Sequence, residues 1–256
     1  MAHWQMALLA LAGVAMGWIN TIAGGGSLIS APLLLFLGLP APMANGTNRI
    51  GVLAQSLAAV LRFYKTLGGA EWRLGLTLSA VSCIGALLGA MIGVKLDGVW
   101  FNRVLAGVMA GVLLLMASGR KESAAASDDG QTPHTPAPRN LLWGHLAMLG
   151  AGFWGGFIQI GVGFILMPAL HRVMGMDLVR VNFHKSFIVL IYTLLALAVF
   201  ASQGQVDWGA GAALALGAWV GGWLGAHTTL TRGDAWVRRA LYVTGALFIL
   251  KLLWSG

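Results

Sequence analysis

The sequence predicts an all-α polytopic membrane protein built from two inverted repeats, each containing five membrane segments. Hydrophobic residues make up 58% of the 256 residues and charged residues only 9%, whereas soluble domains are about 25% charged. Mean hydropathy is +0.79. Long apolar stretches recur between short polar breaks, which is the pattern of a chain that crosses a membrane several times.

An internal repeat appears at an offset of 136 residues, the distance from Trp72 to Trp208. Gly, Ala and Leu match by chance in this composition, but Trp and Arg do not. The pairs at this offset include Trp18 with Trp154, Pro32 with Pro168, Trp100 with Trp236, and Arg103 with Arg239. The repeat predicts an N-terminal transmembrane repeat, 1–118, and a C-terminal one, 141–256. The polar stretch between them, 119–140, contains three prolines and predicts a flexible cytoplasmic linker.

Each half contains five apolar segments. They cover about 4–23, 27–38, 49–66, 73–95 and 101–118 in the first half, and about 141–160, 164–174, 185–202, 208–230 and 235–254 in the second. Four segments in each half approach the ~20 residues that a helix needs to span. The second segment is about a dozen residues long, roughly 18 Å at 1.5 Å per residue. We predict that it re-enters on one face, so that each half crosses an odd number of times and the halves are inverted.

The positive charges support this inverted arrangement. It places twelve of the 16 Lys and Arg residues on one side of the membrane. The other side carries only Arg49, Lys95, Arg103 and Lys251. Because positive residues concentrate on the cytoplasmic side, the rich side is predicted to be cytoplasmic and both termini periplasmic or extracellular.

Glycine-rich breaks precede the two short segments. The first lies in GWINTIAGGGSLISAP and the second in QIGVGFILMP. Irregular backbone at membrane depth is tolerated where it is buried in protein or lines a cavity, and the helix starting near Ser27 would point its positive end at the turn. The alternative is that the glycines only permit tight helix packing. The substrate-binding candidates here are Asn20, Thr21, Gly24, Gly25, Gly26, Ser27, Gln159, Gly161 and Gly163.

A second polar cluster follows each short segment, in ANGTNRIGVLAQS and in VNFHKSF. In each cluster an Asn is followed within four residues by a cation, and such a pair can complement an oxyanion with hydrogen bonds and charge. The alternative is that the Asn only caps a loop and the cation only reports the membrane topology. For the His, the alternative is a structural hydrogen bond. The candidates are Asn45, Thr47, Asn48, Arg49, Asn182, His184 and Lys185.

Other chemistries lack their sequence signatures. There is no HExxH motif, no paired carboxylates within a span and no Cys/His cluster, so we expect no enzyme activity, cofactor or metal. The basic residues are scattered over short loops, which argues against nucleic acid as a partner. Proton or ion coupling stays open, with His184 able to titrate near neutral pH and His145 and His227 as weaker candidates.

At these residues the chain resembles the TauE/SafE family, the sulfite and organosulfonate exporters also called the toluene-sulfonate uptake permease family. The resemblance rests on GWINTIAGGGSLISAPLLLFLGLPAPMANGTNR and, more loosely, on GFWGGFIQIGVGFILMPAL. The second copy departs from the family pattern, with Val162 in the turn and Phe183-His184-Lys185 where a Gly-Thr pair is common.

The resemblance implies a multi-pass permease of the bacterial inner membrane for small sulfur-containing anions such as sulfite or sulfonates. The expected partners are the anionic substrate and the lipid bilayer, and a homodimer stays open. The alternatives are a permease or channel for another small anion, such as a carboxylate, and a membrane enzyme.

Overall fold

The computed structural model describes residues 2–67, 72–96, 98–100, 103, 107 and 138–255, and in the last helix it describes side chains only as far as Gly233 and at Trp236. The described residues are helical and contain no β-strand, which confirms the predicted all-α class. The fifth segment of the first half and most of the predicted linker lie outside the described residues, apart from Arg103 and Gly107 and from residues 138–140.

The helices are named here in chain order. They are α1 (His3–Ala23), α2 (Ser27–Phe36), α3 (Ala41–Leu67), α4 (Trp72–Gly93), α5 (Leu141–Phe157), α6 (Gly163–Pro168) with a π-helical turn (Ala169–Val173) after it, α7 (Leu178–Ser202) and α8 (Trp208–Ser255). The helix α8 kinks at Gly233, where φ is 65°. Among the described residues, four helices are long and apolar enough to cross a membrane: α1, α4, α7 and the Trp208–Gly233 part of α8.

The third helix of each half begins earlier than predicted. The sequence predicts starts near Arg49 and Lys185, but α3 begins at Ala41 and α7 at Leu178. The polar residues do not break these helices because their side chains find partners on other helices, described below. The start of α7 is capped by Asp177, whose carboxylate accepts a hydrogen bond from the Arg180 backbone N–H at 2.9 Å.

The two halves pack against each other through equivalent helices. The first helix of the first half, α1, packs along α8, and the first helix of the second half, α5, packs along α4. Likewise α3 packs on α8, while α7 packs on α4. Each contact between a helix of the first half and a helix of the second half therefore has a counterpart in which the roles of the two halves are exchanged. The inversion of the halves across the membrane stays a prediction.

Glycines let these helix backbones touch. A Cβ added at Gly152 on α5 would lie 2.7 Å from the Cα of Ser82 on α4, and one at Gly17 on α1 would lie 2.9 Å from the backbone N of Gly222 on α8. Close backbone approach at small residues is a common way for helices to associate in a membrane. Tight packing thus accounts for many of the glycines in the long helices.

The polarity of the molecule is that of a membrane protein. Large apolar side chains such as Leu142 and Leu216 are exposed, whereas Arg49, Lys185 and Asn48 are buried. Burial also changes the topology argument, because Arg49 and Lys185 do not lie in surface loops and cannot report sidedness. Without these two residues, eleven of the Lys and Arg residues remain on the predicted cytoplasmic side and three on the other side. The positive-inside bias therefore keeps its direction.

We predict that Gly152→Ala destabilises the protein by about 1–3 kcal/mol, the usual cost of overpacking, because the new methyl group would overlap the α4 backbone. The matched control is Gly150→Ala on the same helix, where an added Cβ meets nothing within 4 Å and the better helix propensity of Ala favours stability. Thermal unfolding in detergent measures both. Equal melting temperatures would contradict the packing assigned to α4 and α5.

Candidate functional site

The two glycine-rich breaks are in contact with each other. The first lies between α1 and α2, where Gly24 has φ 82°. The second lies between α5 and α6 and ends at Gly163. A Cβ added at Gly24 would lie 2.5 Å from the Cα of Gly163, and one at Gly163 would lie 2.7 Å from the carbonyl oxygen of Gly24. The structure therefore joins the two candidate regions into one, with no room for a side chain at their contact.

The second break uses a non-glycine residue in a left-handed conformation. Gln159 has φ 61° and Gly161 has φ 71°. Such a conformation is unusual for Gln, and here it is held from both sides. The Gln159 amide accepts a hydrogen bond from Arg49 at 3.3 Å and donates one to the Tyr192 hydroxyl at 3.2 Å. The Trp154 indole also donates to the carbonyl of Ile160 at 2.9 Å.

Arg49 is fully buried and caps the end of α5. Its Nη1 donates to the carbonyl of Gly155 at 2.9 Å and its Nη2 to that of Gly156 at 2.5 Å. From the same helix as Arg49, the Asn45 amide donates to the carbonyl of Phe157 at 2.9 Å and its oxygen accepts from Arg49 at 3.5 Å. The break leaves these carbonyls without intrahelical partners, and a cation suits the negative end of the helix dipole.

Lys185 does the same for α1. Its Nζ donates to the carbonyl of Thr21 at 2.7 Å and to Oδ1 of Asn182 at 2.7 Å. Lys185 lies on α7 and Arg49 on α3. Each cation therefore comes from the third helix of one half and caps the first helix of the other half.

Neither cation meets a carboxylate among the described residues. The acidic side chains that the structure describes, Asp177 and Asp207, lie at the starts of α7 and α8, where each accepts a backbone N–H. Burying a charge without a counter-ion costs several kcal/mol. Such intramembrane ionisable residues are by default functional candidates.

A small cavity lies beside Lys185 at the joined breaks. Its volume is about 10 Å³, close to the room that one water molecule needs. It is lined by Asn20, Gln55, Ser56, Val162, Gly163, Lys185, Ser186 and Val189. Among the polar lining residues, Gln55, Ser56 and Ser186 were not predicted from the sequence. Helical spacing could have identified Gln55, which follows Asn48 by seven residues and so shares its helix face.

The remaining candidates are all buried but lie at different places. Thr47 accepts a hydrogen bond from the Asp207 backbone N–H at 2.9 Å, and Asn48 accepts one from Ser30 at 2.5 Å. These two residues tie α3 to the start of α8 and to α2. The ring of His184 lies 5.2 Å from that of Phe183, and His184 approaches Gly75 on α4 rather than the cavity.

The other members of the first break flank the contact. Gly26 packs on α1, since an added Cβ would lie 2.6 Å from Cβ of Asn20. At Gly25 an added Cβ would lie 2.9 Å from the tip of the Phe164 ring. Ser27 is buried at the first position of α2.

The fold and this region define an integral membrane protein whose interior holds two buried cations at joined helix breaks. The chain belongs to the sulfite exporter TauE/SafE family, whose sequence model matches residues 9–252. It is therefore a member of a family of membrane transporters.

Its relatives carry names that state transport without a substrate. The chain is 27% identical to a "Probable membrane transporter protein" of Haemophilus influenzae, over 98% of this chain and 95% of that protein. It is 30% identical to a protein of the same name from Xylella fastidiosa, over 84% and 80% of the two chains. It is 23% identical to the "Probable membrane transporter protein YfcA" of Escherichia coli, over 94% and 86%. No solved structure matches the chain.

We predict that Gly163→Ala lowers the free energy of unfolding by about 3 kcal/mol, the upper end of overpacking costs, because the neighbouring atoms belong to the backbone of Gly24 and cannot rotate away. The control is Gly38→Ala, where φ is 92° but an added Cβ meets nothing within 4 Å, so only the left-handed strain of about 1–2 kcal/mol applies. Thermal unfolding of the purified variants compares them. A smaller loss for Gly163→Ala than for Gly38→Ala would show that the breaks are not in contact.

Proposed function

We propose that this protein is a secondary carrier or facilitator that moves small sulfur-containing anions, such as sulfite or organosulfonates, across the bacterial inner membrane. The observation that carries the proposal is the pair of buried cations at the joined breaks, with no carboxylate partner among the described residues. The family description supplies the sulfur chemistry. The substrate would bind near the midplane, at the two broken segments.

Electrostatics favours an anion over a neutral or cationic substrate. The carbonyl ends of α1 and α5 offset only part of each buried charge, since a helix terminus carries roughly half an elementary charge. At Lys185, an anion in the adjacent cavity would supply the rest. Discontinuous helices that meet near the centre of the membrane are also a recurrent way to build a transport site.

Few titratable side chains in this region could carry protons for coupled transport. Among the described residues of the spans there is no Asp or Glu side chain, and His184 faces α4 rather than the cavity. A facilitator or an ion-coupled carrier therefore fits the site better than a carboxylate relay of the kind found in many pumps.

Two alternatives make different predictions. A permease or channel for another small anion, such as a carboxylate, would use the same cations, and a channel would conduct without saturation. A membrane enzyme is disfavoured because the family and the relatives are described as transporters.

We expect proteoliposomes containing the purified protein to take up sulfite or methanesulfonate with saturation, at rates well above those of protein-free liposomes. Acetate tests the carboxylate alternative, and an imposed pH gradient separates a proton-coupled carrier from a facilitator. Uptake of acetate alone would assign the carboxylate class. Absence of any uptake by folded protein would refute the proposal.

The proposed topology is tested by thiol labelling, since Cys83 is the single cysteine of the chain. In a Cys83→Ser background, we expect Ser127→Cys in the linker to react with a membrane-impermeant maleimide only after the inner membrane of spheroplasts is permeabilised. Ala2→Cys, at the N-terminal end of the first segment, should react in intact spheroplasts. The reverse pattern would place the linker outside and the N-terminus inside the cytoplasm.

A further inference from the structure

We propose that the two buried cations have unequal roles: Lys185 binds the anion, and Arg49 is a positioning residue that holds the helix break of the other half. This assignment rests on the proposed anion transport. It replaces a symmetric site, in which both cations would contact substrate, with one binding site per chain beside Lys185.

The hydrogen bonds of Arg49 are directed to the protein. Four of its contacts are with the carbonyls of Gly155 and Gly156 and the side chains of Gln159 and Asn45. The ring of Phe200 lies 4.5 Å from the guanidinium carbon and covers it. Only Nε has no hydrogen-bond partner, and the guanidinium is completely buried. A ligand could reach Arg49 only by displacing the side chains around it.

Lys185 is placed differently, because it lines the cavity. An ammonium has three donors, of which two are used by Thr21 and Asn182. The third has only the sulfur of Met167 at 3.9 Å, a weak acceptor. The positive charge therefore borders an open space, which has the size of one water molecule here and must widen to hold an anion.

The polar side chains around this space come from three helices. Asn20 comes from α1, Gln55 and Ser56 from α3, and Ser186 from α7. Gln55 donates to Ser56 at 3.2 Å, and its buried amide oxygen has no hydrogen-bond partner. A buried acceptor left unsatisfied is costly, and this oxygen calls for a hydrogen-bond donor in the cavity, such as a water molecule bound beside the anion.

The size of the neighbouring side chains accounts for the open space beside Lys185. Ser56 is the small residue that lines the cavity there, whereas Tyr192 lies on the Arg49 side. The large Tyr192 side chain is fully buried, and its hydroxyl accepts from Gln159, which in turn accepts from Arg49. Large side chains thus fill the space beside Arg49, whereas a small Ser leaves space beside Lys185.

The unequal sites specify the substrate more narrowly. One ammonium balances one negative charge, and it offers a compact point charge rather than the planar fork of Arg. The matching ligand is a small anion with a single charge, such as methanesulfonate or hydrogen sulfite. A dianion such as sulfate would leave a second charge buried without a partner.

The test compares Lys185→Met with Arg49→Met, and ligand-induced shifts in melting temperature report the affinity for methanesulfonate, sulfite, sulfate and acetate. We expect Lys185→Met to weaken the binding of methanesulfonate at least tenfold in the folded protein, in addition to the lower ligand-free melting temperature that follows from the loss of its hydrogen bonds to Thr21 and Asn182. Arg49→Met should lower the ligand-free melting temperature by several degrees while the folded protein keeps its affinity within about threefold. Wild-type protein should bind methanesulfonate more tightly than sulfate.

Thiol labelling gives a second readout that does not require removal of either cation. In a Cys83→Ser background, methanesulfonate should slow the modification of Ser186→Cys, in the cavity, at least threefold. The control is Ser79→Cys, a buried serine of α4 outside the cavity lining, which methanesulfonate should not protect. Failure of protection at Ser186→Cys overturns the assignment even if Lys185→Met does not fold.

The outcomes separate this assignment from the proposed function. If the wild type transports sulfite or methanesulfonate but Lys185→Met binds them equally well, the unequal roles are wrong and the transport proposal stands. If acetate alone binds and depends on Lys185, the sulfur substrate is wrong and the site assignment stands. If the wild type neither binds nor transports any of these anions, both are overturned.

Discussion

Burying Arg49 and Lys185 removes two charges from water, and the carbonyl groups at the ends of α5 and α1 supply part of the compensation. These carbonyls are available only because both helices stop at a break inside the protein. The break, the cation and the contact between the halves therefore depend on one another. If the first helices ran on without interruption, the cations would lose their acceptors. If the halves separated, each cation would be left buried without its partner helix.

The glycines make this arrangement possible at two levels. Along α4, α5, α1 and α8 they let backbones approach within contact distance, which fixes the halves against each other. At Gly24 and Gly163 they let the two breaks themselves touch. Because each break is tied to the opposite half by a cation, we expect movement of one break to displace the other. An alternation in access to the cavity would thus involve both halves together rather than a local opening of one loop.

The sequence predicts the membrane class, the short second segments and the two breaks, because these depend on local composition and on Gly placement. It does not predict the starts of α3 and α7, since Asn45 and Asn182 look like loop residues until their partners on other helices are known. The acceptors of Arg49 are also invisible in the sequence, because they are backbone carbonyls of Gly155 and Gly156. Helical spacing could have identified Gln55 and Ser56 in the sequence, but their role depends on the cavity that α1 and α7 complete.

The repeat duplicates the scaffold without duplicating the chemistry. Both cations keep the same structural task at the end of a first helix, so selection for the fold alone accounts for a basic residue at both positions. The proposed binding adds a requirement that the surroundings of Lys185 meet, namely open space bordered by polar atoms, whereas the large Tyr192 side chain occupies the space beside Arg49. In the proposed carrier, the cavity beside Lys185 would be exposed to either side of the membrane by the relative motion of the halves. Two separate cavities would require two such movements, whereas one cavity requires only one.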